Sequence, residues 1–193
     1  MKRLLILFAL FAWAGITKIS ADNNEDIKDS LLKVLSAQPM EKERFNTLYT
    51  LACLDQMSPS CIYYLDKLLK ESSAHNDAEF QCLAMYGHVI YYFNHQNESN
   101  MSMWMDRLSD AALKHKCYNS YFQGKRAEVT MYIIKKKIEY SITQAEEMFE
   151  LAGKLDNVQG MISAKLCLMN AYLSTAWKIQ SPLPPLVHLK LTP

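Results

Sequence analysis

From residue 25 onward, apolar residues recur in steps of three and four, which places them along one side of successive helices. Ile27, Leu31, Leu32 and Leu35 form the first stripe, with Asn23 or Asn24 as its cap and Pro39 as its end. Phe45, Leu48, Leu51, Ala52 and Leu54 form the second, over 41–57. Met57-Ser58-Pro59 then reads as a turn, with Ser58 capping a helix over 60–73 and Pro59 in its first turn. The polar segment Ser72 to Asp77 leads into a helix from Ala78 to about Asn94 that carries Leu83, Tyr86, Ile90 and Tyr91. Gly87 within that helix costs about 1 kcal/mol against alanine, so it predicts the close approach of a neighbouring helix. His95 to Ser102 reads as a linker. Further helices are predicted over 102–116 and 119–138, from Ser141 to Asp156-Asn157, and over 158–175. Strand-type alternation is nowhere sustained, so the expected fold class is all-α.

A second periodicity is superposed on the first. Ala145, Phe149 and Ala152 place a small, a large and a small residue on one helix face. The small residues admit a neighbouring helix, and the ring fills the gap between them. Trp104, Leu108 and Ala111 repeat the spacing, and Cys61, Leu65 and Leu68 repeat it more loosely. The copies begin 43 and then 41 positions apart, counted from 61 to 104 and from 104 to 145. A near-constant period of about 40 residues with a helix-face signature predicts antiparallel helix pairs stacked in a row, with these nine residues as the packing positions between repeats.

The two ends differ from the middle. Lys2 and Arg3 precede an uncharged apolar run from Leu4 to Ala14, and Thr17-Lys-Ile-Ser-Ala21 ends in small residues. That is the pattern of a secretory signal peptide over 1–21, cleaved after Ala21 or, second, after Ala14. The alternative is an uncleaved anchor, which the shortness of the run disfavours. The repeat domain then spans 22–176. Residues 177–193, with Gln180-Ser-Pro-Leu-Pro-Pro185, form an irregular tail that cannot remain helical.

Without residues 1–21, 18 basic residues face 20 acidic ones, a formal charge of −2 that gives no support to nucleic-acid binding. No later apolar run is long enough to span a membrane. The five cysteines contain no Cys-x-x-Cys pair, so neither a zinc ribbon nor a dithiol motif has its spacing. They read as buried free thiols, with a Cys53–Cys61 disulfide as the alternative. No nucleophile elbow, phosphate-binding loop or His-Glu-x-x-His occurs. His88 and His95 lack a placed third ligand for a metal. Glu146 and Glu147 point about 100° apart on a helix and form no catalytic pair. The expectation is a non-enzymatic chain without cofactor or metal. Lys135-Lys-Lys137 reads as charge at a helix C-terminus, or as a charge-steered ligand site. Asn97-Glu-Ser99 and Asn100-Met-Ser102 match the glycosylation sequon.

Tyr121, Lys125, Glu128 and Tyr132 form a polar-aromatic stripe, apart from the apolar Phe122, Ala127, Met131 and Ile134 of the same helix. In a superhelix of helix pairs the first helix of each pair lines the concave face, and such faces bind peptides or proteins. The stripe is therefore the candidate partner-binding groove, or else a solvated helix face.

The Ala145, Phe149, Ala152 pattern resembles the second-helix signature of tetratricopeptide repeats, over residues 41–175. The resemblance implies a right-handed α-α superhelix. It departs from that family in its longer period and in lacking Trp-x-x-Leu-Gly-x-x-Tyr. More narrowly, an export signal followed directly by elongated repeats, with Tyr121-Phe-Gln-Gly-Lys-Arg126 and Ala164-Lys-Leu-Cys-Leu-Met-Asn-Ala-Tyr172, resembles the exported N-terminal sensor region of bacterial two-component histidine kinases. It implies the sensing or scaffolding part of a signalling system in the periplasm of a Gram-negative bacterium, binding a peptide or protein partner. The alternative function is an exported structural protein whose repeats mediate self-association or assembly.

Overall fold

The computed structural model describes residues 25–37 and 42–180, so the signal-peptide expectation and the tail beyond residue 180 lie outside the described residues. Residues 177–180, expected in the irregular tail, are helical. All described elements are helices: α1 (25–37), α2 (Lys42–Leu54), α3 (Pro59–Ala74), α4 (Ala78–Asn94), α5 (Glu98–His115), α6 (Tyr118–Ile134), α7 (Ile138–Lys154) and α8 (Val158–Gln180). None of them is long and apolar enough to cross a membrane.

The turns set the order of the molecule. Asn76, Gln96, Lys116, Lys136 and Asp156 all adopt positive φ, between 50° and 62°, and stand one every 20 residues. Each follows a helix C-terminus. The amide one residue further on donates to the carbonyl five residues back: Asp77 to Ser72, Asn97 to Tyr92, Cys117 to Ala112, Lys137 to Tyr132 and Asn157 to Ala152. This is the Schellman arrangement, in which a left-handed residue turns the chain back and satisfies terminal carbonyls. None of the five is glycine, although glycine is the residue that fits this conformation without strain.

Asp77, Asn97 and Asn157 accept hydrogen bonds from the amides of Phe80, Asn100 and Gly160 and so cap the following helices. Ser58 does the same for Ser60, and Pro59 opens α3, as the sequence pattern predicts. Ser141 is not a cap. It lies inside α7, where its hydroxyl donates to the Ile138 carbonyl at 2.6 Å. Residues 98–102, expected as linker, belong to the first turns of α5.

From α4 to α7 each helix with its turn therefore takes 20 residues, and a helix pair takes 40, not 41–43. The expected alignment of Trp104 with Ala145 is one residue out of register. Leu65, Met105 and Ala145 are equivalent and buried, as are Leu68, Leu108 and Met148, and as are Ser72, Ala112 and Ala152. Cys61 matches Met101 and Ser141, all buried. Ala111 and Phe149 are only half-buried, with the Lys165 ammonium 4.4 Å from the Phe149 ring centre. Met148, not Phe149, is the large side chain enclosed at that level.

Packing follows a rule of nearest neighbours with one addition. Each helix from α2 to α7 packs on the next, and α2, α4, α6 and α8 also pack on one another in sequence. Among the described residues α3, α5 and α7 make no such mutual approach. Gly87 explains one of the tight contacts, because a Cβ there would lie 2.4 Å from Leu65 Cδ2. An Arg44 fork holds the N-terminal end. Nε and Nη2 donate to Glu71 at 2.7 and 3.0 Å, and Nη1 donates to the Leu35 carbonyl at 2.7 Å.

Candidate partner interface

The four residues of the polar-aromatic stripe are brought together, but they are turned toward α7. Lys125 Nζ lies 2.8 Å from Glu128 Oε2 and donates to Gln144 Oε1 of α7 at 2.8 Å. Tyr132 donates to Glu128 Oε1 at 3.3 Å, and its ring meets Tyr140 of α7 edge-on at 4.7 Å. Tyr121 and Glu128 are buried; Tyr121 belongs to the main core beside Phe122. Burial raises the Tyr121 and Tyr132 hydroxyls above the usual tyrosine range, with Lys125 opposing the shift at Tyr121 and Glu128 reinforcing it at Tyr132. The stripe thus does not stand clear of the packed side of α6, as the pattern alone suggested. Glu128 is a carboxylate nearly removed from water, and such a group requires a cation and donors close by. Ile134, expected among the packed residues, is exposed at the end of α6 next to the turn.

A different set of side chains occupies the side shared by α2, α4, α6 and α8. Asn46, Tyr86 and Arg126 stand at equivalent positions 40 residues apart, and so do Thr50, Ile90 and Thr130. Asn46 and Arg126 are exposed and Tyr86 is half-buried. Arg126 opposes the burial shift of both the Tyr86 hydroxyl of α4 and the Cys167 thiol of α8, so its charge is felt on both neighbouring helices. Cys53 of α2 acts on Tyr86 in the opposite sense, adding to the rise that burial causes. Periodicity within each helix does not reveal this row. The signal that could have found it is identity of position at a strict 40-residue interval.

Two depressions lie along this side. One, between α2, α3 and α4, is lined by Tyr49, Cys53, Cys61, Tyr86 and Tyr91 and encloses about 50 Å³. That is room for water but not for an organic ligand. The other is an open groove of about 650 Å³ formed by Thr130, Ile133 and Ile134 of α6, Lys136 and Ile138 at the α6–α7 turn, and Asn170 and Leu173 of α8.

Little chemistry is available at either. All five cysteines are free thiols. Burial pushes Cys61 and Cys167 up to about 11 and Cys82 up to about 12, which keeps them protonated at neutral pH. His88 is buried and pushed down to about 4 by burial and by Arg107. His95 is exposed at the α4 C-terminus, with Nδ1 2.8 Å from the Tyr91 carbonyl. The two histidines do not converge, and among the described residues no group of three His, Cys, Asp or Glu side chains is placed to hold a metal. Lys135 and Lys137 both pair with Glu98 of α5, the latter at 3.1 Å, so two charges of the lysine run are engaged within the fold. Asn97 of the first sequon is occupied as the α5 cap.

The chain matches no protein-family model, no curated protein and no solved structure.

Proposed function

We propose that the chain is a non-enzymatic recognition module that binds a peptide or protein partner along the side shared by α2, α4, α6 and α8. In this reading the helix pairs form a tetratricopeptide-like right-handed α-α superhelix, with that side as its concave face. The observation that carries the reading is the row of polar and aromatic residues at equal 40-residue spacing, Asn46, Tyr86 and Arg126, on helices that, alone among those described, also pack on their next-but-one neighbours. Tyrosine and arginine are favoured at protein interfaces because each offers a large rigid surface with polar reach. The protonated thiols and the inaccessible His88 imidazole agree with binding rather than catalysis.

The partner belongs to an exported signalling or scaffolding system, as the N-terminal pattern and the sensor-region resemblance imply. The test is capture of partners from the exported fraction by the wild-type chain and by Arg126→Glu. A bound protein lost with Arg126→Glu but retained with Glu147→Lys, at the exposed α7 side of the stripe, at equal thermal stability, supports the shared face. Loss with Glu147→Lys alone transfers the interface to the α6–α7 side.

A further inference from the structure

On α8, Val158, Ile162, Leu166, Met169 and Leu173 recur at steps of four, four, three and four and so lie within one arc of the helix. All five are exposed. The opposite side of α8, with Gly160, Ala164, Cys167 and Ala171, is buried on α6 and α7.

The equivalent residues earlier in the chain are enclosed. Ile162 and Met169 are 48% and 50% exposed, whereas Phe122 and Val129, 40 positions before them, are at 0%. Phe122 packs on Gly160 so tightly that a Cβ there would lie 2.6 Å from its ring, and Val129 clusters with Cys167. Cys82 and Val89, another 40 positions back, are also at 0%. This side of α4 and α6 is where the following helices pack. On α8 no described element packs there.

Three features say what covers it. The stripe is self-complementary: with a two-fold axis near residues 165 and 166, antiparallel copies of α8 place Val158 opposite Leu173 and Ile162 opposite Met169, with Leu166 at the centre. The stripe itself carries no charge, and Lys165 beside its centre is held over its own Phe149 ring. Its area is also adequate. Five such side chains together with the exposed Tyr172 present roughly 600 Å², so that two copies bury about 1,200 Å², the lower end of the range for specific interfaces.

We propose that α8 is a homodimer interface, in which the Val158-to-Leu173 stripe packs antiparallel on the same stripe of a second copy. The interface is isologous, each position meeting its symmetry counterpart.

The test is sedimentation velocity of the full chain over a concentration series, with circular dichroism to verify helicity. The wild type is expected to dimerise reversibly. Ile162→Lys and Met169→Glu are each expected to be monomeric with an unchanged helical spectrum. The double variant is expected to dimerise again, because the two substituted positions face each other across the axis. Leu166→Gln, a milder change at the centre, is expected to weaken the dimer without a spectral change. A wild type that stays monomeric at every concentration overturns the proposal, whether residues 181–193 or another protein then covers the face. Dimers indifferent to the single substitutions, or a double variant that stays monomeric, overturn it as well.

Discussion

The imidazole of His88 lies flat on the indole of Trp104, with ring centres 3.8 Å apart and planes 2° from parallel. Arg107 covers the same indole, its guanidinium carbon 4.8 Å from the Trp104 ring centre. The stack joins α4 to α5 at the heart of the main core. Neither imidazole nitrogen is hydrogen-bonded, although Asp66 Oδ1 stands 3.2 Å from Nε2 without the alignment of a hydrogen bond. Burial and the neighbouring Arg107 disfavour the charged ring, and the largely solvated Asp66 carboxylate offsets this only in part.

His88 therefore gives the protein an acid sensitivity. Its value falls from 6.5 to about 4 on folding. Above pH 6.5 both states carry a neutral ring and the full stability is present. Between pH 6.5 and about 4 only the unfolded chain binds the proton, so stability falls with pH, and below that range the loss levels off. The shift corresponds to about 3 kcal/mol at most. Urea unfolding at a series of pH values should show this slope, and His88→Phe should flatten it while retaining the stack on Trp104. An equal slope in the variant would assign the acid sensitivity elsewhere.

Arg44 and Glu71 form a bidentate pair with little solvent access, and Arg44 also holds the Leu35 carbonyl at the end of α1. Removing one partner leaves the other charge nearly buried, at a cost of about 3–5 kcal/mol in fully enclosed pairs. Arg44→Ala and Glu71→Ala should each lower the melting temperature more than an exposed-lysine control such as Lys70→Ala. The double variant should lose less than the sum of the two, and a strictly additive result would mean that the pair contributes no coupling.

Two glycines in α7 and α8 should respond oppositely to the same substitution. A Cβ at Gly160 would lie 2.6 to 2.8 Å from the Phe122 ring, while at Gly153 nothing stands within 4 Å. Gly160→Ala should destabilise by about 1–3 kcal/mol through overpacking. Gly153→Ala should stabilise by up to about 1 kcal/mol through helix propensity. Denaturant midpoints of the two variants check both signs.

Lys116 holds φ at 62°, in the turn between α5 and α6. A side chain in the left-handed region costs about 1 kcal/mol or more relative to glycine. Lys116→Gly should therefore raise stability by roughly 0.5–1 kcal/mol, the rest being offset by the greater freedom of glycine in the unfolded chain. A lowered midpoint would show that the lysine side chain contributes contacts that outweigh the backbone strain.

Much of the helical content was legible from local chemistry alone. Pro59 after Ser58 marks the start of α3, and Asp156-Asn157 marks the end of α7. The turn at Lys116 falls where the predicted helices 102–116 and 119–138 meet. The turn at Gln96 is not located within the linker from His95 to Ser102, and the turn at Lys136, inside the predicted 119–138 helix, is missed, because neither glutamine nor lysine is a habitual left-handed former. That is why α5 begins at Glu98, inside the segment that reads as linker.

The sequence by itself determined the helices, the paucity of strand and roughly how long a helix pair is, since these depend on neighbours within a few residues. Only the tertiary structure decided the register between pairs and the direction of each side. Helices packed on two or three neighbours bury a wide arc, so a shift of one residue, about 100°, still lands on an apolar position. Trp104 and Met105 are both buried, and the pattern cannot rank them. For the same reason the stripe from Tyr121 to Tyr132 announced that it differs from the apolar side, but not that α7 lies against it. That depends on which helix comes to rest there, a relation between residues about 20 positions apart that no local spacing encodes.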